Sequence, residues 1–432
     1  MTHRTKTTFL LGLLLLWSAS PVVESMANAA DLPAPVLESI PVVGSTAPIP
    51  TLSGLTSALS GILKRPDFKT SGVWVGDPAT GATLLDANAT TALMPASALK
   101  LLTAATALRI LTPTKRIATR VVAEGTTATL IGGGDAMLES TGAGPTLETL
   151  AKRVASQIQT GPITLNYDAS LFSGRTLGAG WSKSFPSTGV AAPVMALTVN
   201  QGRAKVGGNA RVANPAEHAA QLFAKELRTL GVKVTAVTQA VASASATEIA
   251  RVESVPVQQL VNHMLTNSDN DLAEALAHLS GVALTGKGTF ASGATAMLAT
   301  AKELNLPTAG MALFDGSGLS NKDRVSAQAL GEILMLASQG SFRGIAPALA
   351  IAGFTGTLAD RFTSLAQKPA AGFVRAKTGT LNGVVNLVGI VPDVDGRVLV
   401  FSVLTNGIAS IERTRKSVDS IATKLRACGC VS

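Results

Sequence analysis

The stretch FVRAKTGTLNGVVNLVGIVPDVDGRVLVFSVL, residues 373–404, decides the fold. Asn382-Gly383 is a strong two-residue hairpin signal, because such turns need positive φ at both central positions. It separates a strand-like run, Phe373 to Lys377, from a second one, Val384 to Val391. The turn at Pro392 to Gly396 then leads to a third run, Val398 to Leu404. The segment therefore predicts a three-strand antiparallel meander. A closing helix follows over about Ile411 to Leu425.

The front of the chain repeats this plan. Gly72 to Val75 and Ala82 to Leu85 flank Asp77-Pro78-Ala79-Thr80-Gly81, a second hairpin signal. After Pro95, Leu101, Ala105, Leu108 and Leu111 recur at helical spacing. Together the two ends predict an α+β fold, with one antiparallel sheet built from both and flanked by helices. The middle, residues 120–252, is rich in Val, Thr, Gly and Ala, with alternating runs such as Val121 to Leu130. One helix is expected there, over Pro215 to Leu230. This reads as an inserted, mostly-β domain between residues 54–119 and 253–432, which form the main body.

Composition narrows the function. With 36 basic and 27 acidic residues in 432, the formal net charge is +9, and 46% of the chain is hydrophobic. That is ample for a core and argues against disorder. The two cysteines, Cys428 and Cys430, cannot build a disulfide scaffold or a four-ligand zinc site. In an oxidising compartment they can bond to each other through a strained ring, and no role is assigned to them. Four histidines without a His-Glu-x-x-His pair point away from a metal centre, and no cofactor is expected. Sixteen aromatics (12 Phe, 3 Trp, 1 Tyr) and no run of five basic residues point away from nucleic acid. The positive charge suits either anionic wall polymers or simply a soluble basic surface.

The N-terminus has the pattern of an export signal. His3, Arg4 and Lys6 precede an apolar core from Phe9 to Trp17, and Ala27-Asn28-Ala29 fits a cleavage site. Residues 1–29 are read as a signal, which places the protein in the periplasm, in the cell envelope or outside the cell. The alternative is an uncleaved anchor, the one route to membrane contact. Residues 30–53, with Pro33, Pro35, Pro41, Pro48 and Pro50, read as a tether.

Three short motifs carry chemistry. In Ser97-Ala98-Leu99-Lys100, at the start of the helix after Pro95, i and i+3 side chains share one face, so an amine can reach a hydroxyl. The plain alternative is a capping serine and a solvated lysine. Ser268-Asp269-Asn270 lies in a polar break between two helical segments, suited to a proton-relaying hydroxyl and a substrate-binding amide, or simply to an N-cap. Lys377-Thr378-Gly379-Thr380 ends the first strand of the meander. Its glycine would admit a substrate backbone to the strand edge, and the lysine alternatively blunts an edge. Chance produces about one Ser-x-x-Lys in this length. The ordered triple should arise on the order of once in several hundred chains.

The triple resembles the active-site serine family of penicillin-binding proteins and β-lactamases, whose motifs are Ser-x-x-Lys, Ser-x-Asn and Lys-Thr-Gly. Met94-Pro95-Ala96-Ser97, Gly132-Gly133-Gly134-Asp135, Asp168-Ala169-Ser170-Leu171-Phe172, Gly180-Trp181 and Asp315-Gly316-Ser317-Gly318-Leu319-Ser320 look like its D-alanyl-D-alanine carboxypeptidase/endopeptidase branch, low-molecular-mass class C. That branch carries an extra domain between its first two motifs, which suits the 171-residue gap from Ser97 to Ser268.

The resemblance implies a β-lactamase/transpeptidase-like fold, peptidoglycan stem peptides as substrates and β-lactams as covalent inhibitors. It implies Ser97 as nucleophile, Lys100 as base, Ser268 as proton relay, and Asn270 as a holder of substrate amide and base. Lys377, with Thr378 and Thr380, would receive the terminal carboxylate, Gly379 would let the substrate backbone approach, and Asp168 would meet the amino group of the third stem residue. A β-lactamase shares the motifs but lacks the insert in its compact forms; a non-catalytic wall-binding protein would be expected to lack a motif residue. The lone tyrosine, Tyr167, stands in Tyr167-Asp168-Ala169, so the Tyr-x-Asn second motif of class C β-lactamases is absent.

Overall fold

The computed structural model describes residues 46–158, 161–205, 207–340 and 342–431. The expected signal lies outside the described residues, as does the proline-rich stretch up to residue 45. At its other end the stretch gives way to structure at Leu52, where the helix Leu52–Leu63 begins, capped by the Thr51 hydroxyl.

Both ends of the chain enter one six-stranded sheet. Its order is Ala350–Ile351, Arg375–Leu381, Val384–Pro392, Val398–Asn406, Ser71–Asp77, Ala82–Ala87, and every neighbouring pair is antiparallel. The expected meander and front hairpin are joined edge to edge through Val73↔Val403 and its neighbours. One element shifts relative to the sequence pattern. The third-motif strand starts at Arg375 and runs to Leu381, so Lys377 to Thr380 lie inside it and not at its end. Pairing with Val384–Pro392 drives the extension, because the ladder continues unbroken from Arg375↔Ile390 to Leu381↔Val384. Phe373 falls outside the strand and is exposed, with the Arg426 guanidinium over its ring.

The sheet is covered on both faces, which explains its unbroken apolar runs. Val385, Leu387, Val391, Leu399, Phe401 and Val403 belong to a core shared with residues of Leu52–Leu63 and Ile411–Arg426. Their alternates, Val388, Ile390, Val400 and Leu404, join the larger helical core on the other face. At its centre lies the helix Lys100–Ile110, surrounded by Val257–Asn267, Asn270–Thr285, Phe290–Glu303 and Ala327–Ser338. Every residue from Lys100 to Leu108 is buried. The apolar stripe seen in the sequence is one side of a helix enclosed all round, and Ala104, Ala105 and Ala107 allow its neighbours to approach closely.

The middle of the chain builds its own five-stranded sheet, ordered Val234–Gln239, Ile163–Asp168, Thr127–Ile131, Ala118–Glu124, Thr247–Glu253. It is mixed: Ile163–Asp168 runs parallel to both of its neighbours. It also carries more helix than the alternating runs suggest, since Leu147–Gln157 and Pro215–Thr229 both pack on it. Tyr167 is buried in this separate core. The entering strand Ala118–Glu124 pairs antiparallel with the leaving strand Thr247–Glu253, so the excursion returns to the point it left. Cys428 and Cys430 are disulfide-paired at the C-terminal end.

The front hairpin is anchored by a buried ion pair. Asp77, at the end of Ser71–Asp77, receives the Arg397 guanidinium, and both side chains are almost fully enclosed. The same carboxylate accepts hydrogen bonds from Ala79 N (3.0 Å) and Thr80 Oγ1 (2.6 Å), shaping the turn. Removing one member of such a pair leaves a buried charge uncompensated. Arg397→Met should therefore lower unfolding stability by about 3–5 kcal/mol, read from urea unfolding monitored by circular dichroism.

Candidate active site

The first motif occupies a turn of two kinds. Ala96–Leu99 is 3₁₀ and runs directly into the α-helix Lys100–Ile110. Three residues apart in such a turn, the two side chains stack on one face. Lys100 Nζ lies 3.0 Å from Ser97 Oγ. It also donates to Asn270 Oδ1 at 2.7 Å and to the Ser317 carbonyl at 2.7 Å. Lys100 is wholly buried, and those three acceptors match the three hydrogens of an ammonium.

The second motif sits where two helices meet. Val257–Asn267 ends at Ser268, whose φ of 59° places it in the left-handed region. Asp269 then caps Asn270–Thr285 by accepting from Leu272 N at 2.9 Å. The capping reading therefore holds for Asp269, which leaves the Ser268 hydroxyl and the Asn270 amide free for other partners. A non-glycine residue in this conformation is costly and needs its surroundings to hold it. The two-residue break turns Ser268 toward the sheet and Asn270 toward the first motif. Lys377 Nζ donates to Ser268 Oγ at 2.8 Å and to the Thr378 carbonyl at 2.9 Å. Asn270 Nδ2 donates to the Val190 carbonyl of the insert at 2.8 Å.

The third motif lies along the strand facing these groups. Lys377 is wholly buried and Thr380 is exposed. Thr378 Oγ1 donates to Thr357 Oγ1 at 2.9 Å. Gly379 comes so close to the first motif that a Cβ there would stand 2.7 Å from the Pro95 carbonyl. Only glycine fits this approach.

Burial is the largest influence on both lysines, and it lowers both. Lys100 comes down to about 8, with Asp315, Glu274, Asp269 and Asp271 holding it up against burial. Lys377 falls well below the ordinary lysine range, through burial and then through the charge of Lys100. Glu274 is raised by burial and by the neighbouring Asp315. Its carboxyl accepts Gly316 N (3.1 Å) and Ser317 N (2.7 Å), which fixes the loop that presents the Ser317 carbonyl to Lys100.

Eight of the nine residues singled out from sequence are thus gathered around the two buried amines. Asp168 is not. Its carboxylate accepts Ser170 N at 2.8 Å and Ala242 N at 2.9 Å, within the insert, and the cavities it lines contain none of the three motifs. A different cavity, of about 610 Å³, opens beside Ser268 and Asn270 between the main body and the insert, with Gln201, Arg203, Arg211 and His263 in its walls. Ser317 stood only in the family-like run Asp315 to Ser320, and the sequence pattern passed over Glu274, Val190 and Asn386. The last two donate nothing to a motif pattern, but a single asparagine inside Val384–Val391 is a legible signal, since a buried amide must find partners.

The family model for the D-Ala-D-Ala carboxypeptidase 3 (S13) family matches residues 55–209 and 204–427. Over 410 residues the chain is 34% identical to a carboxypeptidase of Mycobacterium tuberculosis, covering 90% of this chain and 87% of that one. Its fold is that of penicillin binding protein 4 from Haemophilus influenzae, with a TM-score of 0.72 at 21% identity over 87% of this chain and 98% of that one. The same Haemophilus protein in complex with a β-lactam aligns with a TM-score of 0.66, also at 21% identity and over the same shares of the two chains. With its family model matched along nearly the whole of the described chain, the protein belongs to the D-Ala-D-Ala carboxypeptidase 3 (S13) family.

Proposed function

We propose that the protein is a serine D-alanyl-D-alanine carboxypeptidase that acts on peptidoglycan stem peptides through an acyl-enzyme, and that β-lactams acylate the same serine. The observation that carries this reading is the buried Lys100 amine, 3.0 Å from Ser97 Oγ. In its neutral form the amine has one lone pair and accepts the Ser97 proton.

Ser97 Oγ then attacks the carbonyl carbon of the penultimate D-alanine, and its proton passes to Lys100 Nζ. Backbone N–H groups of Ser97 and Thr380 receive the oxyanion, a contribution usually worth several kcal/mol. Collapse of the intermediate breaks the C–N bond, and Ser268 passes a proton to the departing nitrogen. Asn270 orients the substrate amide while its Oδ1 holds the base. Water hydrolyses the ester and frees Ser97.

The terminal carboxylate of the substrate falls to Lys377, Thr378 and Thr380. Burial favours the neutral form of Lys377 in the free enzyme. An arriving carboxylate favours the charged form instead. We read residues 54–119 and 253–432 as the catalytic part and 120–252 as the insert. The envelope is the expected location: the N-terminal pattern is that of an export signal, and the family acts on cell-wall chemistry. Among the described residues no helix is long and apolar enough to cross a membrane.

Three outcomes follow. A fluorescent penicillin should label the wild type covalently and leave Ser97→Ala unlabelled; labelling of that variant removes the nucleophile assignment. Rapid turnover of the penicillin, in place of a persistent adduct, would point to a β-lactamase. Lys100→Met should slow acylation by on the order of 10²–10⁴-fold while the protein still melts cooperatively.

The third outcome is a pH limb. A base works only when deprotonated, so acylation should rise with pH through about 8, with roughly a tenth of the amine neutral at pH 7. Stopped-flow acylation between pH 6 and pH 10, on the order of four pH units, tests it. A flat profile removes Lys100 as the base. Mass analysis of digested muropeptides, with loss of a terminal D-alanine against cleavage of cross-links, separates carboxypeptidase from endopeptidase action.

A further inference from the structure

We propose that Asn386 is a positioning residue for the nucleophile: it sets the distance between the third-motif strand and the turn that carries Ser97. The inference rests on the reading of Ser97 as nucleophile and adds a residue that belongs to none of the three motifs. Asn386 is fully buried, inside a strand whose neighbours Val384, Val385, Leu387 and Val388 are all apolar. An amide in that position is costly unless every polar atom is bonded.

Its bonds all serve one purpose. Nδ2 directs its two hydrogens to the Met94 carbonyl at 3.0 Å and the Pro95 carbonyl at 2.7 Å. Oδ1 accepts Thr405 N at 2.9 Å, which ties the amide to the next strand. Asn406 completes the grip on Met94, accepting from its N at 2.8 Å and donating to its carbonyl at 3.2 Å. Two asparagines on adjacent strands therefore hold the backbone that immediately precedes Ser97.

The turn needs that grip. Pro95 has no N–H to give to any partner. Ala96 has a φ of 46°, a conformation that persists only where the surroundings over-determine it. The gap is also closed from both sides. Gly379 is the cross-strand partner of Asn386, and a Cβ on it would meet the Pro95 carbonyl at 2.7 Å. A Cβ on Gly318 would meet the Ala96 carbonyl at 1.9 Å. The Pro95 carbonyl is thus the spacer between the strand and the turn, and Asn386 fixes where it stands. The two N–H groups proposed for the oxyanion belong to the two sides of this gap, Ser97 on one and Thr380 on the other. Asn386 consequently acts on the width of the oxyanion site without touching substrate.

The test is Asn386→Asp, nearly isosteric, which keeps the acceptor for Thr405 N and turns the two donors into an acceptor facing two carbonyls. Stopped-flow acylation by a fluorescent penicillin separates the acylation rate constant from non-covalent affinity, and the labelling end point counts competent sites. The expected result is a fall in the rate constant of about tenfold to a hundredfold, affinity within about threefold of wild type, and one label per chain on Ser97. A structural role alone would lower the labelled fraction and the melting temperature while competent molecules react at the wild-type rate. That outcome, or full labelling at a rate within about twofold of wild type, overturns the proposal. If Asn386→Asp does not fold, Asn406→Ala, at a half-buried position, removes the other half of the grip and is judged by the same criteria. Wild-type protein and Ser97→Ala run alongside. Labelling absent from the first or present in the second overturns the nucleophile reading and this proposal together, whereas normal controls with an unslowed variant overturn this proposal alone.

Discussion

An ammonium group taken out of water must find three acceptors, and Lys100 finds them on three distant parts of the chain. Ser97, Asn270 and Ser317 are brought to one nitrogen by the fold. Isolated burial of such a charge is prohibitive, so the lysine is tolerated only if every donor is matched or the proton is released. Burial brings this amine down to about 8, so both forms are within reach near neutral pH. The enclosure of Lys100–Ile110 on all sides supplies the burial. The break at Ser268 and Asp269 supplies the amide, and the loop after Asp315 supplies the carbonyl.

That loop shows how the site separates two lysines that share one cleft. Glu274 and Asp315 organise it by accepting its backbone N–H groups, Gly316 and Ser317 on the first, Gly318 and Ser320 on the second. Their charge also bears on Lys100 and raises it against burial. No carboxylate contributes to the shift of Lys377, which is lowered by burial and by Lys100 itself. Equal burial therefore gives unequal proton affinity. Pairs of titratable groups pushed apart in this way are where acid–base assignments are found.

Much of this was legible in the sequence because it is written in local pattern. Turn residues at Asn382-Gly383 and Asp77 to Gly81 mark the hairpins, and strand pairing then follows from which runs are apolar. The three motifs could be seen because each is contiguous. Other features lie beyond local pattern for physical reasons. Lys100–Ile110 shows an apolar stripe, yet its remaining faces are lined with alanine and threonine, which look neutral until neighbours enclose them. The third-motif strand extends to Leu381 because its partner is there to bond it, and nothing in its own residues requires that. Asp168 shows what a motif match leaves unsaid: its carboxylate ties the insert's own backbone, a role that only the fold reveals.

The insert does more than occupy the gap between the first two motifs. A primary amide presents a carbonyl at one end and two hydrogens at the other, and Asn270 must turn the carbonyl toward Lys100. Its Nδ2 faces the Val190 carbonyl, which can only accept, so the insert selects the orientation that turns Oδ1 to Lys100. The neighbouring carboxylates are held from the same side. Asp271 accepts Ala192 N at 2.6 Å and pairs with Arg211 at 2.9 Å, while Asp269 accepts from Gln201. Val190, Ala192, Gln201 and Arg211 thus hold the second motif from the insert side. Val190, Gln201, Arg203 and Arg211 also line the adjoining cavity. The Val190 carbonyl orients Asn270, whereas Gln201 and Arg211 serve both the second motif's carboxylates and the cavity wall. A substitution at Arg203 can therefore reshape the cavity without touching the Val190 carbonyl that orients Asn270.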